Sequence, residues 1–325
     1  VVDSQSLLFA WLFVFTVLQR TFQTFYVVPH LALGAELSTD YIERTRIMSF
    51  NNLFTLYGGM LMHVMVWFVI FGFFFADQGG QLHRPAYTWT ILLACTIILV
   101  SIFACAWGTR DQIPRLLENR IEDGKAFSFL SLYSDIWSVL RNKNYLYLLL
   151  GPFFLSLTIG THETLAIFMG TFFWELTPYQ IGWLIVGSIV GTHLGFFLAA
   201  RLHERFDKRR TIAVSAIGLS FFWSMVVNLT LLGLAPANSS WALVGMIIFF
   251  GVFSSGFGAI LNISVMSALA DIADQHELNT GLRLEGIFYS ARAFFAKAMN
   301  AVGHVVAGFA LEVYVKLPPA SVPGE

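Results

Sequence analysis

The chain has 325 residues, of which 57% are hydrophobic, 16% aromatic and only 12% charged, with a formal net charge of −1. A soluble domain carries about 25% charged residues, so a chain with mean hydropathy +0.69 cannot cover itself with polar surface and takes lipid as its solvent. The near-zero net charge leaves no global field to draw nucleic acid. Both cysteines, Cys95 and Cys105, fall in one apolar run, where small buried thiols are expected rather than a disulfide framework.

The start, Val1-Val-Asp-Ser-Gln, lacks the basic region of a cleavable signal peptide. It also lacks an initiator methionine, so the sequence is expected to be a piece of a longer chain. A spanning helix needs about 20 mostly apolar residues. Eight runs qualify, at 6–33, 47–75, 87–108, 144–172, 178–200, 211–234, 240–269 and 284–313. They are continuous and rich in Leu and Phe, unlike the short alternating segments of a β-barrel. The expected fold is therefore an all-α membrane protein.

Between these runs the basic residues alternate. The first loop holds Arg44 and Arg46, and the third holds Arg110, Arg115, Arg120, Lys125, Arg141 and Lys143. The fifth holds Arg201, Arg205, Lys208, Arg209 and Arg210, and the seventh Arg283. The other loops carry almost none, Arg84 being the exception. The positive-inside bias places the odd loops in the cytoplasm and both chain ends on the opposite side. The long polar loop 109–143 is the organisational break. It separates three spans in 1–108 from five in 144–325, as two helical bundles would be separated. Its piece Phe127–Leu140 reads equally as an amphipathic interfacial helix or as part of a flexible linker.

Ionisable groups inside the membrane are costly and usually functional. Arg20 lies near the middle of the first span, Glu163 beside His162 in the fourth, and Arg292 and Lys297 in the eighth. Lys297 sits about 13 residues, or about 20 Å of helix, from the inner end, which makes snorkelling awkward. Arg292 is nearer the interface, where snorkelling or rim pairing serves equally well. Glu163 is a candidate proton site or partner of Lys297. His63, His193 and His304 are weaker signals, because a lone membrane histidine is more often a neutral packing residue. Arg20, Thr24 and Val27 fall at i, i+4 and i+7, on one helical face. No metal-ligand spacing, nucleophile motif or nucleotide-binding Gly-rich loop is present, which speaks against an enzyme or an ATP-driven pump.

Two charged islands flank spans at the inner rim. One carries Asp40, Glu43, Arg44 and Arg46; the other carries Asp271, Asp274, Arg283 and Glu285. Opposite charges there can pair across two bundles and close an inner gate. The same charges can also serve as topology anchors in solvated loops.

The segments Pro29…Ala32-Leu33…Glu36-Leu37…Asp40…Glu43-Arg44-Thr45-Arg46, Gly108-Thr109-Arg110-Asp111-Gln112-Ile113-Pro114, Arg201–Arg210 and Ala270–Gly286 resemble cytoplasmic loops of the glycoside–pentoside–hexuronide:cation symporters. That family is a branch of the major facilitator superfamily. The resemblance implies helices four to eleven of a twelve-helix bundle, with Gly281 in the turn before the last of them. It also implies a lysine, here Lys297, near the cation and sugar sites. Thr24 is retained at a position lining the cation site, whereas Val27 stands where the family's sugar symporters have an aspartate. Asn52 stands where they have an arginine near the sugar. These departures weaken the case for Na⁺ or Li⁺ coupling and for a neutral glycoside. Arg20 together with Lys297 would suit an anionic solute, although Arg20 can equally form an internal ion pair.

The expected function is secondary active transport of a small solute, a sugar or an anionic glycoside, by alternating access. The expected coupling ion is H⁺ or Na⁺, with no cofactor and no bound metal. The expected cavity residues are Arg20, Thr24, Asn52, Glu163 and Lys297. The expected partners are the solute and the bilayer of a plasma or inner membrane, and the expected state is a monomer. A carrier of an amphipathic lipid such as a lysophospholipid, and a non-transporting scaffold or receptor, are the alternatives.

Overall fold

The computed structural model describes residues 4–37, 41–114, 143–280 and 285–315. Among them every regular element is helical. Eight helices are long and apolar enough to cross a bilayer: Ser6–Val27, Leu53–Phe74, Arg84–Gln112, Lys143–Phe173, Pro178–Arg205, Lys208–Leu231, Trp241–Asn279 and Ile287–Val313. They match the eight apolar runs in number and order. The reason is that a backbone in hydrocarbon must satisfy its own hydrogen bonds, and a continuous apolar run does so only as a helix.

The chain divides into two compact units, one formed by 1–70 and 82–125, the other by 71–81 and 126–325. The first unit holds α1 (Gln5–Glu36), α2 (Tyr41–Val64) and α3 (Arg84–Thr109). Its described side chains are mostly uncovered by protein. Cys95 is exposed and Cys105 only partly covered, both as free thiols. This corrects the expectation of buried thiols. The α3 helix that carries both is apolar along its length, so an apolar setting for a cysteine is lipid as readily as protein.

The second unit holds α4 (Lys143–Phe168), the short α5 (Pro178–Trp183), α6 (Ile185–Arg205), α7 (Lys208–Leu231), α8 (Trp241–Thr280) and α9 (Glu285–Ala310). Here α8 packs on α6 and on α7, and α9 packs on α4. Small residues make the closest of these approaches possible. A Cβ at Gly191 on α6 would overlap the carbonyl oxygen of Val252 on α8. One at Gly160 on α4 would overlap the carbonyl of Asn300 on α9, and one at Gly303 that of Leu157. Without a hydrophobic drive between helices in lipid, such backbone-to-backbone packing is what holds spans together.

At the end of α4 that begins with Lys143, Tyr145, Leu149, Leu269, Ala273 and Phe288 form a buried cluster joining α4, α8 and α9. The Tyr145 hydroxyl donates to the carbonyl of Phe288 at 2.9 Å, and the two rings meet edge to face at 4.8 Å. At the opposite end the turn after α4 is tied to the turn after α7. Thr177 and Gln180 form a reciprocal cap on α5, Gln180 Nε2 donates to the Ser239 carbonyl at 2.7 Å, and Trp174 Nε1 donates to Thr230 at 3.2 Å.

The seventh loop departs from its reading as a turn beginning at 270. The α8 helix runs on to Thr280, so Asp271 and Asp274 are helical. At 40 residues and a rise of 1.5 Å per residue, about 60 Å in all, α8 is twice the thickness of the hydrocarbon. Hydropathy marks where the helix leaves lipid, not where it ends. Residues 115–142, with the interfacial-helix candidate, and residues 281–284, with Gly281, lie outside the described residues.

Candidate functional site

The α4–α9 seam gathers the intramembrane polar groups of the second unit. Because Gly160 and Gly303 let the two backbones meet, side chains one turn away are held within hydrogen-bonding reach. Asn300 Nδ2 donates to Glu163 Oε2 at 3.4 Å, and His304 Nε2 stands 3.8 Å from the same oxygen. The other ring nitrogen, His304 Nδ1, is 2.7 Å from the Thr164 hydroxyl, which also reaches the Gly160 carbonyl at 3.3 Å. Thr161 crosses the seam too, donating to the Gly303 carbonyl at 3.1 Å.

Lys297 lies on the same stripe of α9, with Asn300 and His304 following at i+3 and i+7. It is exposed and makes no ion pair among the described residues. Glu163 is thus met by Asn300 and His304 and not by Lys297. His304, one of the weaker signals in the sequence, is the imidazole that meets it. A single histidine in an apolar run carries no mark of the helix it will face, so nothing in the sequence singled it out from His63 or His193.

A cavity of about 850 Å³ in this unit is lined by Glu163, His162, Trp223, Asn262 and Arg292, among others. The His162 ring lies against Trp223 with centroids 4.2 Å apart. Arg292 reaches α8, where its Nη2 donates to Asn262 Oδ1 at 3.2 Å. This bridge holds the guanidinium inside the unit, a placement the sequence left open between the interface and the interior.

In the first unit Arg20, Thr24 and Val27 are all exposed, as one face of α1. Arg20 Nη1 meets Gln23 Oε1 at 3.4 Å, and the Thr24 hydroxyl donates to the Arg20 carbonyl at 2.8 Å. A second cavity, of about 380 Å³, is lined by Tyr26, His30, Asn51 and Cys105, among others. There His30 Nε2 meets Asn51 Oδ1 at 3.3 Å, and His30 Nδ1 lies 3.5 Å from Cys105 Sγ. His30 and Asn51 were not expected to be polar contacts.

At the rim, Asp271 Oδ2 takes Lys208 Nζ at 2.6 Å, an ion pair between α8 and α7 of one unit. Asp274, Glu43 and Arg46 are exposed. Asp40 and Arg283 lie outside the described residues, as do the side chains of Asn52, Arg44 and Glu285.

A family model described as MFS/sugar transport protein matches residues 2–321. The chain belongs to the MFS/sugar transport protein family. With the eight apolar helices, membership makes it a multi-pass integral membrane protein. A curated relative, the glucuronide carrier protein homolog of Escherichia coli (strain K12), is 25% identical over 229 residues. The match covers 69% of this chain and 44% of that protein, so the chain spans less than half the length of this relative. No solved structure matches.

Proposed function

We propose that the protein is a secondary carrier of a small sugar-like solute, an anionic glycoside in particular, working by alternating access and driven by an H⁺ or Na⁺ gradient. The observation that carries this reading is the α4–α9 seam. An amide and an imidazole converge on one carboxylate oxygen, and an ammonium lies on the same helical stripe. Ionisable groups at membrane depth are unfavourable by about 2.5–3.5 kcal/mol each on insertion scales. A scaffold or receptor has no use for them. A carrier uses them for solute and coupling ion.

Family membership supports transport, and the relative named for a glucuronide supports a sugar carboxylate as solute. Lys297 would supply a cation of the kind a carboxylate requires, and Arg20 is a candidate of the same kind on the first unit. The rim charges Asp40, Glu43, Arg44 and Arg46, with Asp271, Asp274, Arg283 and Glu285, would act as the inner gate.

The test is counterflow. Proteoliposomes of the intact protein are loaded with methyl β-glucuronide or methyl β-glucoside, and entry of the labelled solute is followed. Entry of the glucuronide above protein-free vesicles is expected. Entry of neither solute would sink the sugar-carrier reading.

A further inference from the structure

We infer that Glu163, His304 and Thr164 form a proton-binding site, and that the ion coupled to solute movement is H⁺ taken up on the His304 ring. This rests on the carrier reading above.

At the centre of the site is the Thr164 hydroxyl. It lies within reach of two acceptors, His304 Nδ1 at 2.7 Å and the Gly160 carbonyl at 3.3 Å, and it has one proton to give. With the ring neutral, the hydroxyl donates to Nδ1, which leaves Nε2–H to face the Glu163 carboxylate. With one proton added to the Nδ1 lone pair, Nδ1–H donates to the threonine oxygen and the hydroxyl turns to Gly160. The ring is then an imidazolium facing a carboxylate. Nδ1 and the threonine hydroxyl keep a hydrogen bond to each other in both states, and only a hydroxyl rotates. At membrane depth a group that changes charge tends to strand a donor or an acceptor, and the rotating hydroxyl avoids that at Nδ1.

Glu163 also lines the 850 Å³ cavity, so the pair opens onto space inside the unit. The coordination suits a proton better than Na⁺. A hard cation asks for several oxygen ligands, and the site offers one carboxylate, with the Asn300 amide nitrogen and an imidazole turned towards it.

The other charged and titratable groups around the seam are few. On α4, His162 is turned onto Trp223. On α9, Arg292 is bonded to Asn262, and Lys297 is two turns from His304, about 10 Å by helix rise; on its other side Glu312, on the turn that continues α9, lies about 12 Å away. The titratable groups of α8, namely Asp271, Asp274, His276 and Glu277, all fall in its last turns. Of Lys297 and Glu312, Lys297 is the charge that an anionic solute can neutralise. Its ammonium opposes a second positive charge on the ring. An anionic solute that neutralises it raises the proton affinity of the pair, and by linkage the proton raises the affinity for the solute.

The experiment has two arms on the intact protein. In the first, the His304 ring is titrated by ¹⁵N-histidine NMR in nanodiscs, with no solute present. In Glu163→Gln its proton affinity is expected to fall about tenfold, a midpoint about one pH unit lower. In Thr164→Val, which removes the rotating hydroxyl, a fall in the same direction is expected. Unchanged midpoints in both variants would overturn the proposal. In the second, uptake of methyl β-glucuronide is driven by an inside-alkaline pH gradient. Wild type is expected to accelerate several-fold. Glu163→Gln and His304→Gln are expected to lose the acceleration, and an unchanged elution profile and unfolding midpoint in detergent certify that they fold. Acceleration retained in both, or wild type driven by Na⁺ and not by pH, would overturn it. Absence of counterflow in wild type would instead sink the carrier reading and leave the titration to decide the proton site.

Discussion

Lys297 is the residue whose position argues most for use. Its depth in α9 and its lack of an ion pair among the described residues leave an ammonium with no internal reason to be there. In the intact protein, Lys297→Met is expected to abolish gradient-driven uptake of methyl β-glucuronide while membrane insertion stays intact. Lys297→Arg is expected to restore little, because a planar fork does not replace a compact ammonium. Uptake by Lys297→Met at the wild-type rate would remove Lys297 from the site. The rim shows the opposite case. Lys208 and Asp271 meet at 2.6 Å, yet the two side chains are 35% and 60% exposed, so water and salt screen them. Asp271→Asn is expected to change the unfolding midpoint by an amount equivalent to less than about 1 kcal/mol. A much larger fall would mean that the pair anchors the end of α8.

At the scale of elements, the helix pairs of the second unit depend on glycines at the contact lines. A side chain at Gly191 would have to displace the backbone of α8 at Val252, and backbone cannot move aside as a flexible side chain can. Gly191→Leu is expected to destabilise by roughly 1–3 kcal/mol or more, read as a lower unfolding midpoint in detergent by tryptophan fluorescence. Gly245→Ala is the control, since its added Cβ meets nothing within 4 Å. It is expected to be neutral or to stabilise by about 0.5–1 kcal/mol, because alanine loses less backbone freedom in a helix. Equal effects from the two substitutions would show that the α6–α8 contact does not hold the unit together. The apolar runs that form α6 and α8 were legible in the sequence, and glycines stand four residues apart at 187, 191 and 195 in the first. Which helix those glycines face was not legible, because periodicity reports a face and never a partner.

For the molecule as a whole, orientation is the claim that most needs a measurement. The Lys/Arg asymmetry puts residues 34–46, 109–143, 201–210 and 270–283 in the cytoplasm. Single cysteines would be introduced after replacing Cys95 and Cys105, and labelled in intact cells with an impermeant maleimide. Label is expected at 235–239 and absent at 201–210, and the reverse pattern would invert the topology. Much of the architecture could be read without coordinates. Composition dictated lipid as solvent, the lengths of the apolar runs dictated eight spans, and the charged islands carried the family. These are local properties, fixed by how each stretch of chain partitions between water and hydrocarbon. The contents of the site are not local. Asn300 is 137 residues from Glu163 along the chain, and Arg292 finds Asn262 across 30. Only the approach of α4 and α9 at Gly160 and Gly303 sets His304 beside Glu163 rather than Lys297. That choice is made by the rotation of one helix against another, which side-chain packing decides and the sequence of either helix alone does not.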